Sequence, residues 1–218
     1  MTEDVQFADY LAQGGKLSSP ENASPRYRGE LMRLMATFVD SELAGAAGFA
    51  DSINHGPGIK ERVAAARIVA EKLEHADQVL RLMGDFGADT SRYANHHPWA
   101  ARLERHADIG ASRSGGDMRL NVFHYPIEGW IDAVVMNVLM GRASMIQLEE
   151  FAQTSYQPLG EAFRAVLAGE TRHTESGVTG LRRITQEPRH RERAQACVDY
   201  WHPRVAASFG TAGSARFE

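Results

Sequence analysis

The stretch LGEAFRAVLAGETRHTESG, Leu159 to Gly177, decides the fold. Leu159, Phe163, Val166, Glu170, His173 and Gly177 recur at three- and four-residue steps, the period of one face of an α-helix. Four of these positions suit a buried line, yet the line also contains Glu170 and His173. Such groups are rarely buried unless they are paired or bound to metal. The i, i+3 spacing sets the carboxylate and the imidazole side by side on one helical face. A helix that turns an acid and an imidazole inward needs neighbours that answer them.

Working outward, the same periodicity predicts five helices. The first opens at Ser24-Pro25, a capping serine followed by a first-turn proline, and runs to about Asn54. The second runs from about Ile59 to Asp85, with Gly87 as its stop. The third spans about 126–154, and the fourth runs from Pro158 to just before Glu187-Pro188. The fifth continues to about Phe209-Gly210 with an interruption at His202-Pro203. Residues 1–24 read as a flexible N-terminal arm, 25–210 as one helical domain and 211–218 as a tail. Residues 86–125, with Pro98, Gly110 and Gly115-Gly116, read as a long crossover with one short helix near Trp99–His106. Two helix pairs with short loops, joined by one long crossover, are the connectivity of a ferritin-like four-helix bundle. The fold class is therefore all-α, with an additional C-terminal helix.

Each of the other bundle helices carries an inward polar residue. Glu42 lies midway along the first stripe, which includes Leu31, Met35, Phe38 and Phe49. On the third, Asp132 shares a face with Met136, Leu139, Ala143 and Ile146. At about 100° per residue, Val69, Leu73, Ala76, Leu80 and Met83 group on the second helix, and its wide apolar face centres on Lys72. His75 lies towards one edge and Glu71 at the far edge. Di-iron carboxylate bundles take a carboxylate from two helices and Glu-x-x-His from the other two. The anionic bridges offset the charge of two close irons, and the imidazoles serve as neutral terminal ligands. Glu42, His75, Asp132, Glu170 and His173 supply five of those six positions, and Lys72 stands at the sixth.

Composition bounds the alternatives. With 24 Lys+Arg against 28 Asp+Glu, the 218-residue chain has a net charge of −4, so it lacks the basic footprint of a nucleic-acid binder. The longest strongly apolar run, Ala133 to Met140, is interrupted by Asn137 and too short to span a bilayer. One cysteine, Cys197, and an acidic N-terminus without a signal-peptide pattern fit a cytoplasmic protein without nucleic-acid or membrane partners. His96-His97, His106 and His124 match no metal-ligand spacing and read as loop residues. The methionines at 32, 35, 136, 140 and 145 read as core filler. Arg182-Arg183 and the basic run 189–193 read as a solvated face, with contact to a CoA phosphate as the alternative.

The sequence resembles the phenylacetate catabolic protein family over most of residues 30–217. The resemblance rests on Ser41-Glu42, His75 with Phe86-Gly87, Trp130-Ile131-Asp132 and Ser155-Tyr156-Gln157-Pro158. It continues through Glu170-Thr171-Arg172-His173 and Tyr200-Trp201-His202-Pro203 with Phe209-Gly210. It implies a ferritin-like fold and two iron ions, with Glu42, His75, Asp132, Glu170 and His173 as metal ligands. It also implies dioxygen-dependent epoxidation or hydroxylation of an aromatic or acyl-CoA-type small-molecule substrate. Partner subunits and a reductase accompany such proteins, and a homo-oligomer is the other assembly considered.

Lys72 departs from the family pattern by placing a cation where a bridging glutamate belongs. Glu71 is one residue off register and would serve as a ligand only through a π-bulge. Either Lys72 replaces metal charge, or a single metal remains, or Lys72 is displaced and Glu71 completes the site. The leading expectation is an iron-dependent oxygenase, with Lys72 as a modifier of the catalytic site and Phe38, Phe49 and Met136 lining the substrate path. The alternative is a non-catalytic partner or scaffold subunit whose metal site has become a lysine–carboxylate ion pair.

Overall fold

A computed structural model describes residues 3–95, 98–109 and 117–210. Among these residues the structure is helical, with no β-strand beyond one isolated bridge between Leu17 and Tyr156. Seven α-helices are described: α1 (Glu3–Ala12), α2 (Pro25–Ser52), α3 (Ile59–Asp85), α4 (Ser91–Asn95), α5 (Trp130–Phe151), α6 (Gln157–Gln186) and α7 (Pro188–Ala206). Helices α2, α3, α5 and α6 form the bundle. They pack as pairs, α2 on α3 and α5 on α6, with α3 against α6 and α7 laid along α5. The expected all-α bundle with one long crossover and an extra C-terminal helix is what the chain forms.

Local chemistry explains the boundaries. The Ser24 hydroxyl accepts from the Tyr27 N–H at 3.3 Å, and Pro25 occupies the first turn of α2. Helix α3 ends where Gly87 takes φ +81°, with the Ala88 N–H donating to the Met83 carbonyl at 3.1 Å. Gly129, at φ +87°, turns the chain into α5, and the Asp132 carboxylate then reaches back to the Glu128 N–H at 2.8 Å.

Several expectations need correction. The arm is helical over Glu3–Ala12, and Phe7 and Leu11 pack against the core. Leu17 is buried, and its N–H and carbonyl pair with Ser155 and Gln157. The short crossover helix is Ser91–Asn95; residues 101–104 have no regular structure. Pro203 does not interrupt α7, which continues to Ala206. Leu73 and Ile146, placed on inner stripes by periodicity, are 45% and 56% exposed. The apolar run at 133–140 belongs to α5, which is long and apolar enough to cross a membrane but is mostly buried within the bundle. His96-His97 and the 211–218 tail lie outside the described residues.

Two large apolar clusters and a small one of Phe49, Ile68 and Ala133 fill the bundle among the described residues. One of the large clusters joins Met35, Val39, Val79, Leu159, Phe163 and Val166 of α2, α3 and α6. The other joins Val135, Met136 and Met140 of α5 to Cys197, Trp201 and Val205 of α7. The buried methionines fill core space, as their spacing suggests. Cys197 is buried, and burial, aided by the nearby Asp132, pushes its thiol up to about 11.

Candidate functional site

One turn beyond the apolar layer of Val39, Ala76 and Val166, helices α2, α3 and α6 exchange core residues for Glu42, Lys72, His75, Glu170 and His173. All but His75 are fully buried, and His75 is half-buried. Glycines make the room. A Cβ on Gly169 of α6 would lie 2.8 Å from His75 Cε1, and one on Gly45 of α2 would lie 3.7 Å from Lys72 Cδ. The polar layer therefore depends on close helix approach at those positions.

Lys72 stands at its centre. Its ammonium donates to Glu170 Oε1 at 2.8 Å and to Glu42 Oε1 at 3.1 Å. His173 Nδ1 lies 3.2 Å from Glu170 Oε1, and its Nε2 lies 2.9 Å from Glu71 Oε2. Arg172, on the exposed rim, donates to Glu71 at 3.0 Å. Helix α3 is unbroken here, so Glu71 reaches His173 from the helix edge without a π-bulge.

Burial alone would lower the Lys72 pKa, but attraction to Glu170 and Glu42 outweighs it and holds the ammonium above its ordinary value. Burial likewise raises Glu170, and Lys72 with the His173 hydrogen bond more than reverses this. Glu71 is also held low, its burial offset by His173 and Arg172. Lys72 is thus a protonated cation between two carboxylates.

Asp132 belongs to a different centre. Its oxygens accept from Arg105 Nη1 and Nη2 at 2.8 and 2.9 Å, from the Glu128 N–H at 2.8 Å and from Trp201 Nε1 at 2.8 Å. Burial raises its pKa, but Arg105, the Glu128 N–H and Trp201 together hold it low. Arg105 also lies over the Tyr200 ring at 3.8 Å. This carboxylate ties the crossover and α7 to the start of α5.

Glu42, His75 and Glu170 offer three ligand atoms within 4.8 Å of one another, close enough to share one cation. Glu42 Oε2 and His75 Nδ1 are buried without hydrogen-bond partners and lie 3.6 Å apart. A pair of irons does not fit. The Lys72 ammonium sits between the carboxylates that would bridge them, and Asp132 has its oxygens committed to Arg105, Glu128 and Trp201.

A cleft of about 780 Å³ opens beside this centre, between the start of α3 and the second half of α6. Phe49, Ile68, Ala133 and Val134 give it apolar walls, while Lys60, Arg172, Arg183 and His190 stand among its polar ones. Of the aromatic and methionine residues expected along a substrate path, Phe49 lines it. Phe38 instead packs edge-on to Phe163 at 5.2 Å, and Met136 joins the core.

Some buried polar residues escaped the sequence reading. Asp40, fully buried, accepts from Tyr93 at 2.9 Å and from the Met118 N–H at 2.7 Å. Ser41 accepts from the Leu120 N–H at 3.0 Å. Buried Arg119 binds Asp117 and the carbonyls of Pro98, Trp99 and Ala101. Asp40 and Ser41 pin the crossover to α2, and Arg119 ties segments of the crossover to one another. The sequence signal available was the run Asp40-Ser41-Glu42, three consecutive polar residues between the mostly apolar stretches 34–39 and 43–50 of α2.

Residues 9–216 match the family described as phenylacetic acid catabolic protein. A curated relative, one of the subunits of the 1,2-phenylacetyl-CoA epoxidase of Escherichia coli (strain K12), is 23% identical over 208 residues. The aligned region covers 94% of this chain and 62% of the relative. The chain thus spans less than two thirds of that relative's length.

Proposed function

From the premise that the chain belongs to the phenylacetic acid catabolic protein family, we propose that it is a non-catalytic component of a multi-subunit oxygenase of the phenylacetyl-CoA epoxidase type. In this reading its bundle is held by an internal cation in place of iron. The observation that carries the proposal is the Lys72 ammonium, at 2.8 Å from Glu170 and 3.1 Å from Glu42. Metal would have to displace a hydrogen-bonded cation and then share a cavity with its charge. The chain would serve by binding a partner subunit, with the catalytic metal held elsewhere in the assembly.

A second reading, an iron-dependent oxygenase acting on an aromatic or acyl-CoA-type substrate, is favoured by the unpartnered Glu42 Oε2 and His75 Nδ1 and by the adjacent cleft. It requires Lys72 to leave the centre and Glu71 to enter it. Iron loading under anaerobic conditions, followed by metal analysis, separates the two. The scaffold reading expects negligible iron in the wild-type chain and iron uptake by Lys72→Glu. A full di-iron complement in the wild type would overturn it in favour of the oxygenase.

A further inference from the structure

Helices α3 and α6 run antiparallel where they meet at the lysine centre. His75 lies against Gly169, and Glu71 against His173 and Arg172. Carried outward one residue for one residue, this register sets Ile68 level with Ser176, Ala64 with Gly180 and Lys60 with Arg183. The cleft of about 780 Å³ lies between the helices along that stretch. Its walls there are small: Ala64 and Ala65 on α3, Gly177 and Gly180 on α6. A Cβ on Gly180 would meet nothing nearer than Val134 Cγ1 at 3.6 Å, so a slot runs beside it. Phe49, Ile68 and Ala133, which pack together, close the inner side of the slot. Arg172 and Arg183 stand three turns apart on one face of α6, so the slot is about 16 Å long.

We infer that this cleft binds a long-chain aliphatic carboxylate, with its head between Lys60 and Arg183 and its chain along the slot towards Phe49 and Ile68. The charges select the head. Of the cations lining the cleft, Arg172 is committed to Glu71, whereas Lys60 and Arg183 have no ion-pair partner among the described residues. Of the lining carboxylates, Glu187 is held by Arg189 at 2.6 Å, and Glu175 lies two turns inward of Arg183. Glu61 alone remains beside Lys60 and Arg183, which leaves the outer end with a surplus of one positive charge. One carboxylate neutralises that surplus; a head of several linked phosphates would exceed it and meet Glu61 as well. The length selects the tail. With C–C bonds of about 1.5 Å, a slot of this length takes an extended chain of about twelve carbons. A single-ring acid would leave most of the apolar wall in water, at a loss proportional to the area not covered. The inference goes beyond the function proposed above, since it needs no metal and leaves the Lys72 ion pairs in place.

The test is equilibrium dialysis of the full chain, prepared without added metal, against radiolabelled dodecanoate below its micelle concentration. One dodecanoate per chain is expected. Affinity is expected to rise about fourfold per methylene from octanoate to dodecanoate and to gain nothing further at hexadecanoate. Lys60→Gln and Arg183→Gln should each weaken binding about fivefold at low salt. Arg142→Gln, on α5 and outside the cleft, should leave it unchanged. Gly180→Leu fills the slot and should abolish binding, while the Tm by circular dichroism stays at or above that of the wild type because leucine favours the helix over glycine. No bound dodecanoate, or binding indifferent to Gly180→Leu or to both cation substitutions, would overturn the proposal. So would benzoate, dodecylammonium or dodecanoyl-CoA binding as tightly as dodecanoate.

Discussion

The molecule buries two carboxylate centres and treats them differently. At Asp132 both oxygens are engaged by a bidentate guanidinium, a backbone N–H and an indole N–H. At the centre of α2, α3 and α6, one ammonium bridges Glu42 and Glu170, while Glu42 Oε2 and His75 Nδ1 remain without partners. Both centres occupy positions expected to ligate metal. The first is fully satisfied by protein donors and has no coordination left to offer. The second is satisfied in charge but not in hydrogen bonding, since Glu42 Oε2 and His75 Nδ1 keep unspent capacity. A buried carboxylate is therefore read by its unspent lone pairs, not by its burial.

The sharpest way to break this comparison is Asp132→Ala. It strands a largely buried Arg105 and an indole N–H together, and the expected loss is about 3–5 kcal/mol in urea unfolding at neutral pH. A loss below that of any change at Lys72 would reverse the ranking of the two centres.

Next comes Lys72→Met, which leaves Glu42 and Glu170 facing each other without a counter-charge, at a cost of about 3 kcal/mol at pH 7. Adding Glu42→Gln and Glu170→Gln should recover most of it. If the triple variant is no more stable than Lys72→Met, charge is not what the lysine supplies.

The pH profile separates the centres further. Asp132 and Glu170 are held below the ordinary carboxylate range, so their contribution is complete above an unfolded value of about 4 and is lost as pH falls through the folded values. Lys72 is held above its ordinary value, so its contribution is complete below about 10.4 and is lost as pH rises through the folded value. Neither centre is expected to change wild-type stability between these limits. Lys72→Met should instead gain stability from pH 7 to pH 5, because one of its two buried carboxylates can then take up a proton. Urea midpoints across that range check the sign.

Smaller effects test the geometry. Gly169→Ala sets a methyl 2.8 Å from His75 Cε1 and 3.0 Å from its Nε2. The imidazole must turn, at an expected cost of about 1–2 kcal/mol, visible as a shifted His75 resonance and a lower Tm. Arg172→Ala removes an exposed partner of Glu71 and should change stability by no more than about 0.5 kcal/mol. A larger effect would mean that the rim of the lysine centre, and not its interior alone, holds the helices together.

Much of this was legible in the order of residues alone. Periodicity identified the helices of the bundle and turned Glu42, Lys72, Asp132, Glu170 and His173 inward, and all five side chains are buried. The lysine was visible as a misfit at the centre of the α3 face. The N-terminal helix was missed because Phe7 and Leu11 sit among polar residues, and their partners lie on other elements. Leu73 and Ile146 were assigned inward because a wide apolar face does not say how far its neighbours reach around it.

What the chain determined by itself is the angular position of each side chain on its own helix, because backbone geometry repeats about every 3.6 residues whatever surrounds it. Which charge meets which was decided only in three dimensions. Arg105 reaches Asp132 across the crossover, and Lys72 reaches Glu170 from a helix 98 residues away in sequence. The path of the connecting chain sets those distances, and no local period records it. The inward carboxylates look alike in the sequence, and only packing gives Asp132 a guanidinium and Glu42 and Glu170 a shared ammonium.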